Sequence, residues 1–179
     1  MKYMVASDIH GSGFFCEKLM QRYNEEKPDK LILLGDILYH GPRNALPEGY
    51  DTSKVIELLN AVSDNIICVH GNCDSEVDQM VLSFPITLGY YTFNIGDKTV
   101  FATHGHVYNN NNLPQVDGEL VLLHGHTHVS CCEKYDTHTY MNPGSVSIPK
   151  ENTPRGYMII DDNDFIWKTL DGEIYRSVY

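Results

Sequence analysis

The sequence predicts an α/β protein in which two β-sheets pack face to face with helices outside. Three observations predict it. Residues 1–75 alternate short apolar strand runs with helical patterns. The remainder is rich in strand patterns and turn signals. No repeat, low-complexity tract or linker interrupts the chain, and 179 residues with 42% hydrophobic composition suit one domain over 1–179.

Lys2 to Ser7 reads as the first strand. Phe14 to Glu26 has the periodicity of an amphipathic helix, with Ser12 as its N-cap. Lys30 to Leu34 is short and wholly apolar after its lysine, as a parallel strand covered on both faces should be. Ser53 to Val62 is a second helix and Asn65 to His70 a third strand. Tyr90 to Ile95 and Lys98 to Thr103 flank Gly96-Asp97, a hairpin signal. Glu119 to His124 is a further strand. Three more follow at Cys131 to Tyr140, Tyr157 to Asp161 and Phe165 to Leu170, the last two joined by an Asp162-Asn163 turn.

Bulk properties exclude several classes of function. No stretch approaches the ~18 apolar residues of a membrane span. The N-terminal apolar run is too short for a signal peptide, so the chain reads as a complete cytosolic protein starting at Met1. Five cysteines without a CxxC pair argue against a disulfide framework. Cys16, Cys68, Cys131 and Cys132 lie in apolar segments and are expected to be buried. A net charge of -11 argues against binding long nucleic acid, which is driven by Lys and Arg. Small phosphorylated substrates remain compatible if metal ions supply the positive charge.

Five polar blocks each follow directly on an apolar strand: Asp8-Ile9-His10, Gly35-Asp36, Gly71-Asn72-Cys73-Asp74, Thr103-His104-Gly105-His106 and Gly125-His126-Thr127-His128. Ligand sites in open α/β sheets form outside the carboxyl ends of strands, so blocks far apart in sequence can converge. The candidate donors are Asp8, His10, Asp36, Asn72, His104, His126 and His128. These oxygen and nitrogen donors suit Mn, Zn, Fe, Ni or Co, not a closed thiolate zinc site. They are too many for one ion and about right for two sharing a carboxylate. Asp36, alone in its block, is the natural bridge. Gly35, Gly71 and Gly125 are expected to let the backbone turn sharply beside the ions.

In this order, the blocks DxH, GD, GNxD, HGH and GHTH resemble the calcineurin-like metallophosphoesterase superfamily. The chain is more similar still to the small YfcE-type phosphodiesterase branch. Gly41 to Pro47, Cys73 to Gln79 and Asn142-Pro143-Gly144-Ser145 fit that branch as well. The resemblance covers nearly the whole chain. It implies a β-sandwich flanked by helices and a binuclear centre, with manganese first among the metals. One ion would be held by Asp8, His10 and His128, the other by Asn72, His104 and His126, with Asp36 between. It also implies hydrolysis of small phosphodiesters by in-line attack of a hydroxide bridging the two ions. Asp74 would orient its loop, and His106 would meet the nucleophile or substrate.

Cys73 departs from the superfamily, which usually places a histidine there to bind phosphate and protonate the leaving oxygen. A thiol with a reference pKa near 8.5 carries no positive charge at pH 7. The general acid is therefore in question, while the metal site is not. Arg43 and Asn44 could reach a substrate phosphate or simply form a surface loop. His40, His70, His124 and His138 read as structural, and Asn109 to Asn112 as a polar loop without chemistry. Two alternatives stay open: a phosphomonoesterase or nuclease of the same fold, and an interaction scaffold like the retromer subunit that resembles these enzymes. Exposed loops rich in Tyr and Leu make a homo-oligomer plausible.

Overall fold

The computed structural model describes residues 1–178. The first half lays down β1 (Tyr3–Ala6), α1 (Gly13–Glu26), β2 (Lys30–Leu33), α2 (Thr52–Asn60), β3 (Ile66–Cys68) and a short α3 (Glu76–Gln79). The second half adds β4 (Tyr91–Ile95), β5 (Lys98–Ala102), β6 (Glu119–Leu123), β7 (Cys131–Lys134), β8 (His138–Asn142), β9 (Gly156–Asp161), β10 (Asp164–Thr169) and β11 (Ile174–Val178). One sheet has the order β11-β10-β9-β1-β2-β3, the other β4-β5-β6-β8-β7. β1, β2 and β3 run parallel in the first, and β5, β6 and β8 run parallel in the second. The blocks singled out above all leave the carboxyl ends of these parallel strands.

The apolar alternation of the strands separates two cores. In β1, Tyr3 and Val5 face the second sheet while Met4 faces the helices. In β2, Ile32 goes with the first set and Leu31 and Leu33 with the second. Burial of each such side chain stabilises the fold by roughly 1.5–3 kcal/mol relative to exposure. Trp167 of β10 is fully buried between the sheets and donates its indole N–H to the Asn142 carbonyl at 2.8 Å, tying the sheets together near the site. Ser12 caps α1 as expected, its hydroxyl accepting from the Phe15 N–H at 3.2 Å.

Several details differ from the sequence reading. Cys131 to Tyr140 is two strands, because Tyr135-Asp136-Thr137 turns and the Tyr135 N–H closes on the His138 carbonyl at 2.8 Å. β11 and α3 went unread: β11 is a five-residue edge strand broken by Arg176 and Ser177, and α3 is a single turn. α1 and α2 both cover the first sheet. The outer face of the second sheet is instead capped by Tyr108, Leu113 and Val116 of a loop, packed on Phe101, Leu120 and Leu122. Cys16 and Cys68 are buried, but Cys131 and Cys132 are only half-buried, since β7 is a sheet edge.

Candidate metal centre

The site loops share one backbone peculiarity. Asp8, His10, Asp36, His126 and His128 all have positive φ, at 57°, 49°, 57°, 64° and 63°. Left-handed conformations of non-glycine residues are uncommon and cost of order 1–3 kcal/mol each, and they concentrate where surrounding structure over-determines them. Here the determining contacts cross between strands. The His10 N–H donates to the Asp36 carbonyl at 2.9 Å, and the Gly125 N–H to the His104 carbonyl at 2.8 Å. Ser145 and Ser147 donate their hydroxyls to the Asp8 carbonyl at 2.8 and 3.2 Å. The Asn142 amide donates to the Gly125 carbonyl and the Thr127 hydroxyl at 2.8 and 3.0 Å.

Asp74 clamps the turn of Asp36. Its carboxylate accepts from the Asp36, Ile37 and Gly71 N–H groups at 2.9, 2.8 and 2.7 Å. The glycines need a correction. Only Gly35 has positive φ, at 92°. Gly71 and Gly125 are required by close approach: a Cβ on Gly71 would strike the Asp36 backbone and carboxylate, and one on Gly125 would strike the Ser7 hydroxyl.

The side chains converge in two groups. In one, His10 Nε2 and His128 Nε2 are 3.2 Å apart, and Asp8 Oδ1 lies 3.6 and 3.3 Å from them. In the other, His104 Nε2 is 3.0 Å from Asn72 Oδ1 and 3.2 Å from His126 Nδ1. Asp36 Oδ2 stands between the groups, 3.6 Å from His10 Nε2 and 3.5 Å from His104 Nε2. Asp36 Oδ1 is occupied by the Cys73 N–H at 2.8 Å. All seven donors read from the sequence are thus brought together. Asp8, His10, Asp36, His104 and His128 are buried, His126 is half-buried and Asn72 is exposed.

Hydrogen bonding settles which ring nitrogens are free. Nδ1 of His10, His104 and His128 faces the carbonyls of Tyr39, Leu34 and Ile148 at 2.8, 2.7 and 2.7 Å. A carbonyl only accepts, so each Nδ1 carries a proton, and in the neutral ring it is Nε2 that presents the lone pair. Lone pairs and carboxylate oxygens therefore face one another within 3.0–3.6 Å. Asp8 Oδ1 is buried and has no hydrogen-bond partner. Such an arrangement is repulsive unless positive charge sits among the donors.

The protonation preferences carry the same signature. Burial would raise the Asp8 carboxyl, but the histidines beside it outweigh burial and hold it well below the usual range. Burial would lower His10, but Asp8 and Asp36 outweigh it and raise it. His126 and His106 are lowered, first by burial and then by neighbouring His104. Burial, then Asp36, pushes the Cys73 thiol up to about 12. The thiol also shares a cluster with His10 and Asp36 whose donor atoms lie within 4.8 Å of one another.

A pocket of about 410 Å³ opens beside these donors, walled by Arg43, Asn44, Cys73, Thr127 and Lys150. Arg43 and Asn44 therefore line the pocket next to the donors. Lys150 went unread in the sequence, where a lone lysine after a proline carries no signal. His106 is exposed, with its ring 5.3 Å from that of His104. The four histidines read as structural have other neighbours: His40 packs between Tyr39 and Tyr50, His70 meets the Ile86 carbonyl, His124 stacks on Tyr140, and His138 stacks on Tyr135.

Comparison with known proteins gives consistent relatives. The model of the calcineurin-like phosphoesterase superfamily domain matches residues 1–164. Phosphodiesterase YfcE of Escherichia coli strain K12 is 47% identical over 163 residues, covering 91% of this chain and 89% of that protein. Phosphodiesterase MJ0936 of Methanocaldococcus jannaschii is 28% identical over 151 residues, covering 80% and 83%. The solved structure of YfcE, a phosphoesterase from E. coli, superposes with a TM-score of 0.94 at 45% identity, covering 99% of this chain and 98% of that one.

Proposed function

Since the chain belongs to the calcineurin-like phosphoesterase superfamily and is a metal-dependent phosphoester hydrolase, we propose that it cleaves small phosphodiesters with two divalent ions. Asp8, His10 and His128 would hold one ion, and Asn72, His104 and His126 the other, with Asp36 serving both. Manganese is the first choice, with Zn, Fe, Ni and Co compatible with the same donors. The observation that carries this reading is the buried, unpartnered Asp8 Oδ1 among lone pairs of histidines whose other nitrogens are spent on carbonyls.

When bound, the ions would supply Lewis acidity, lowering the pKa of a nucleophilic water and offsetting the charge of the phosphoryl oxygens. The protein's own residues do the rest. The Tyr39, Leu34 and Ile148 carbonyls aim three imidazoles. Asp74 holds the Asp36 turn. Cys73 keeps its proton and offers a weak neutral donor, so it supplies no imidazolium to the leaving oxygen. Diesters whose leaving groups depart as stable anions are the preferred substrates, and His106 is the first candidate to assist the others. Intact donors in both groups favour an enzyme over an interaction scaffold. The similarity to proteins named phosphodiesterases favours diesters over monoesters. Five free thiols suit the reducing cytosol.

The test is a turnover screen of manganese-reconstituted protein against mono- and diesters, with anomalous diffraction from a manganese-soaked crystal. The proposal expects diester turnover and two peaks roughly 3.5–4 Å apart. One peak with no diester turnover would overturn it.

A further inference from the structure

Arg43 and Lys150 stand on the wall of the pocket that adjoins the metal donors. Both are exposed, and among the described residues neither forms an ion pair. Uncompensated positive charge at one pocket is notable in a chain of net charge -11. Asp36 is the one carboxylate in the lining, and its charge is directed at the donor groups.

Both cations are mechanically tied to the metal donors. The Tyr39 carbonyl that receives the His10 Nδ1–H leads into the loop carrying Arg43. That loop is braced by the Asn44 amide on the His40 carbonyl at 2.8 Å, and it packs so that a Cβ on Gly41 would lie 3.1 Å from Cys73 Sγ. The Ile148 carbonyl that receives the His128 Nδ1–H lies two residues before Lys150. The Lys150 N–H itself returns to the His128 carbonyl at 3.0 Å. The two cations thus sit on backbone braced against the metal donors.

The pocket wall outside the donors has no Phe, Tyr or Trp, so it offers no aromatic platform on which a nucleobase would stack. It reads charge. Resting on the phosphodiesterase reading above, we infer that the substrate is a compact diester carrying a second anionic group, phosphate or carboxylate, on its alcohol portion. Arg43 and Lys150 bind that group while the metal donors serve the scissile phosphate. Guanidinium and ammonium hydrogen bonds to such an anion are charge-assisted, and Arg43 can bind it bidentately.

The experiment compares parent, Arg43→Gln, Lys150→Gln and the double variant. Kinetics use two 4-nitrophenyl diesters, one with an uncharged second arm and one with a carboxylate on it. Each single substitution is expected to lower the selectivity ratio, the kcat/KM of the charged diester over that of the uncharged one, about tenfold, through KM. Equilibrium binding of methylenediphosphonate, phosphonoacetate and methylphosphonate to the manganese-loaded protein gives a second readout. The first two should bind more tightly than the third, and that advantage should vanish in the double variant. The preference between the first two tells phosphate from carboxylate. An unchanged selectivity ratio with an unchanged binding advantage would overturn the inference. Failure to turn over any diester would instead overturn the proposed activity, and the binding comparison would then decide on the anion site alone.

Discussion

Asp74 accepts three backbone N–H groups and is 7% exposed, so its removal is the perturbation whose cost can be worked most directly. Asp74→Ala leaves three donors without a partner. Each buried, unpaired donor costs about 1–3 kcal/mol. Burial is also the main reason the Asp74 carboxyl titrates above its usual value, against the pull of the Ile37 and Gly71 N–H groups. That desolvation cost is recovered in the variant, so the lower part of the range applies and the net loss is about 4 kcal/mol. In a domain stable by about 5–15 kcal/mol this is a large fraction, corresponding to roughly 10 °C in Tm. Asp74→Asn keeps one oxygen but turns an NH₂ toward a donor, so it should cost roughly half as much. Metal binding should weaken too, by about 10–100-fold, because the clamp sets the Asp36 turn. The assays are urea denaturation in EDTA and manganese titration calorimetry. If Asp74→Ala stays within about 1 kcal/mol of the parent and binds manganese equally well, the clamp is not what holds the turn.

Asp36→Asn should weaken both ions together, read as loss of both metal equivalents on dialysis, and should reduce turnover at least as far as loss of any other donor. Retention of most turnover while His10→Ala is inactive would refute the shared role of Asp36. Cys73→His should speed diesters with alkoxide-like leaving groups more than those with nitrophenyl groups, since general-acid catalysis typically contributes about 10²–10⁴-fold. Equal slopes of log rate against leaving-group pKa in both forms would point to His106 as the acid. Far from the site, Glu26 accepts from Lys2, Lys168 and Tyr157. Burial would raise its carboxyl, but these three partners outweigh burial and lower it. A lowered folded-state value stabilises the protein above the unfolded pKa of about 4.3 and loses that contribution as pH falls through the folded value. Glu26→Gln should therefore be less stable than the parent by about 2 kcal/mol at pH 7. The gap should narrow in the acid range; one that is equally wide there would exclude this linkage.

The chemistry of the site was legible because each block pairs a strand end with Asp, Asn or His, residue types whose donors define a metal site wherever they meet. The parallel strands were legible for the same local reason: Leu31 to Leu34 is apolar at every position, and only a strand covered on both faces needs that. Three kinds of information were not local. The left-handed turns at Asp8, His10, Asp36, His126 and His128 are imposed by hydrogen bonds between neighbouring site loops, and no residue type announces them. Gly71 and Gly125 look like turn glycines in one dimension, yet they answer to side chains from distant strands that occupy the space of a Cβ. Lys150 and Arg43 come together at one pocket because two carbonyls, at Tyr39 and Ile148, each aim a histidine and carry a cation onward. Donor identity is a property of single residues and was determined by the sequence alone. Which ring nitrogen is free, which carboxylate oxygen lies between the two donor groups and which cations line the pocket depend on contacts between segments far apart in the chain, and only the tertiary structure decided them.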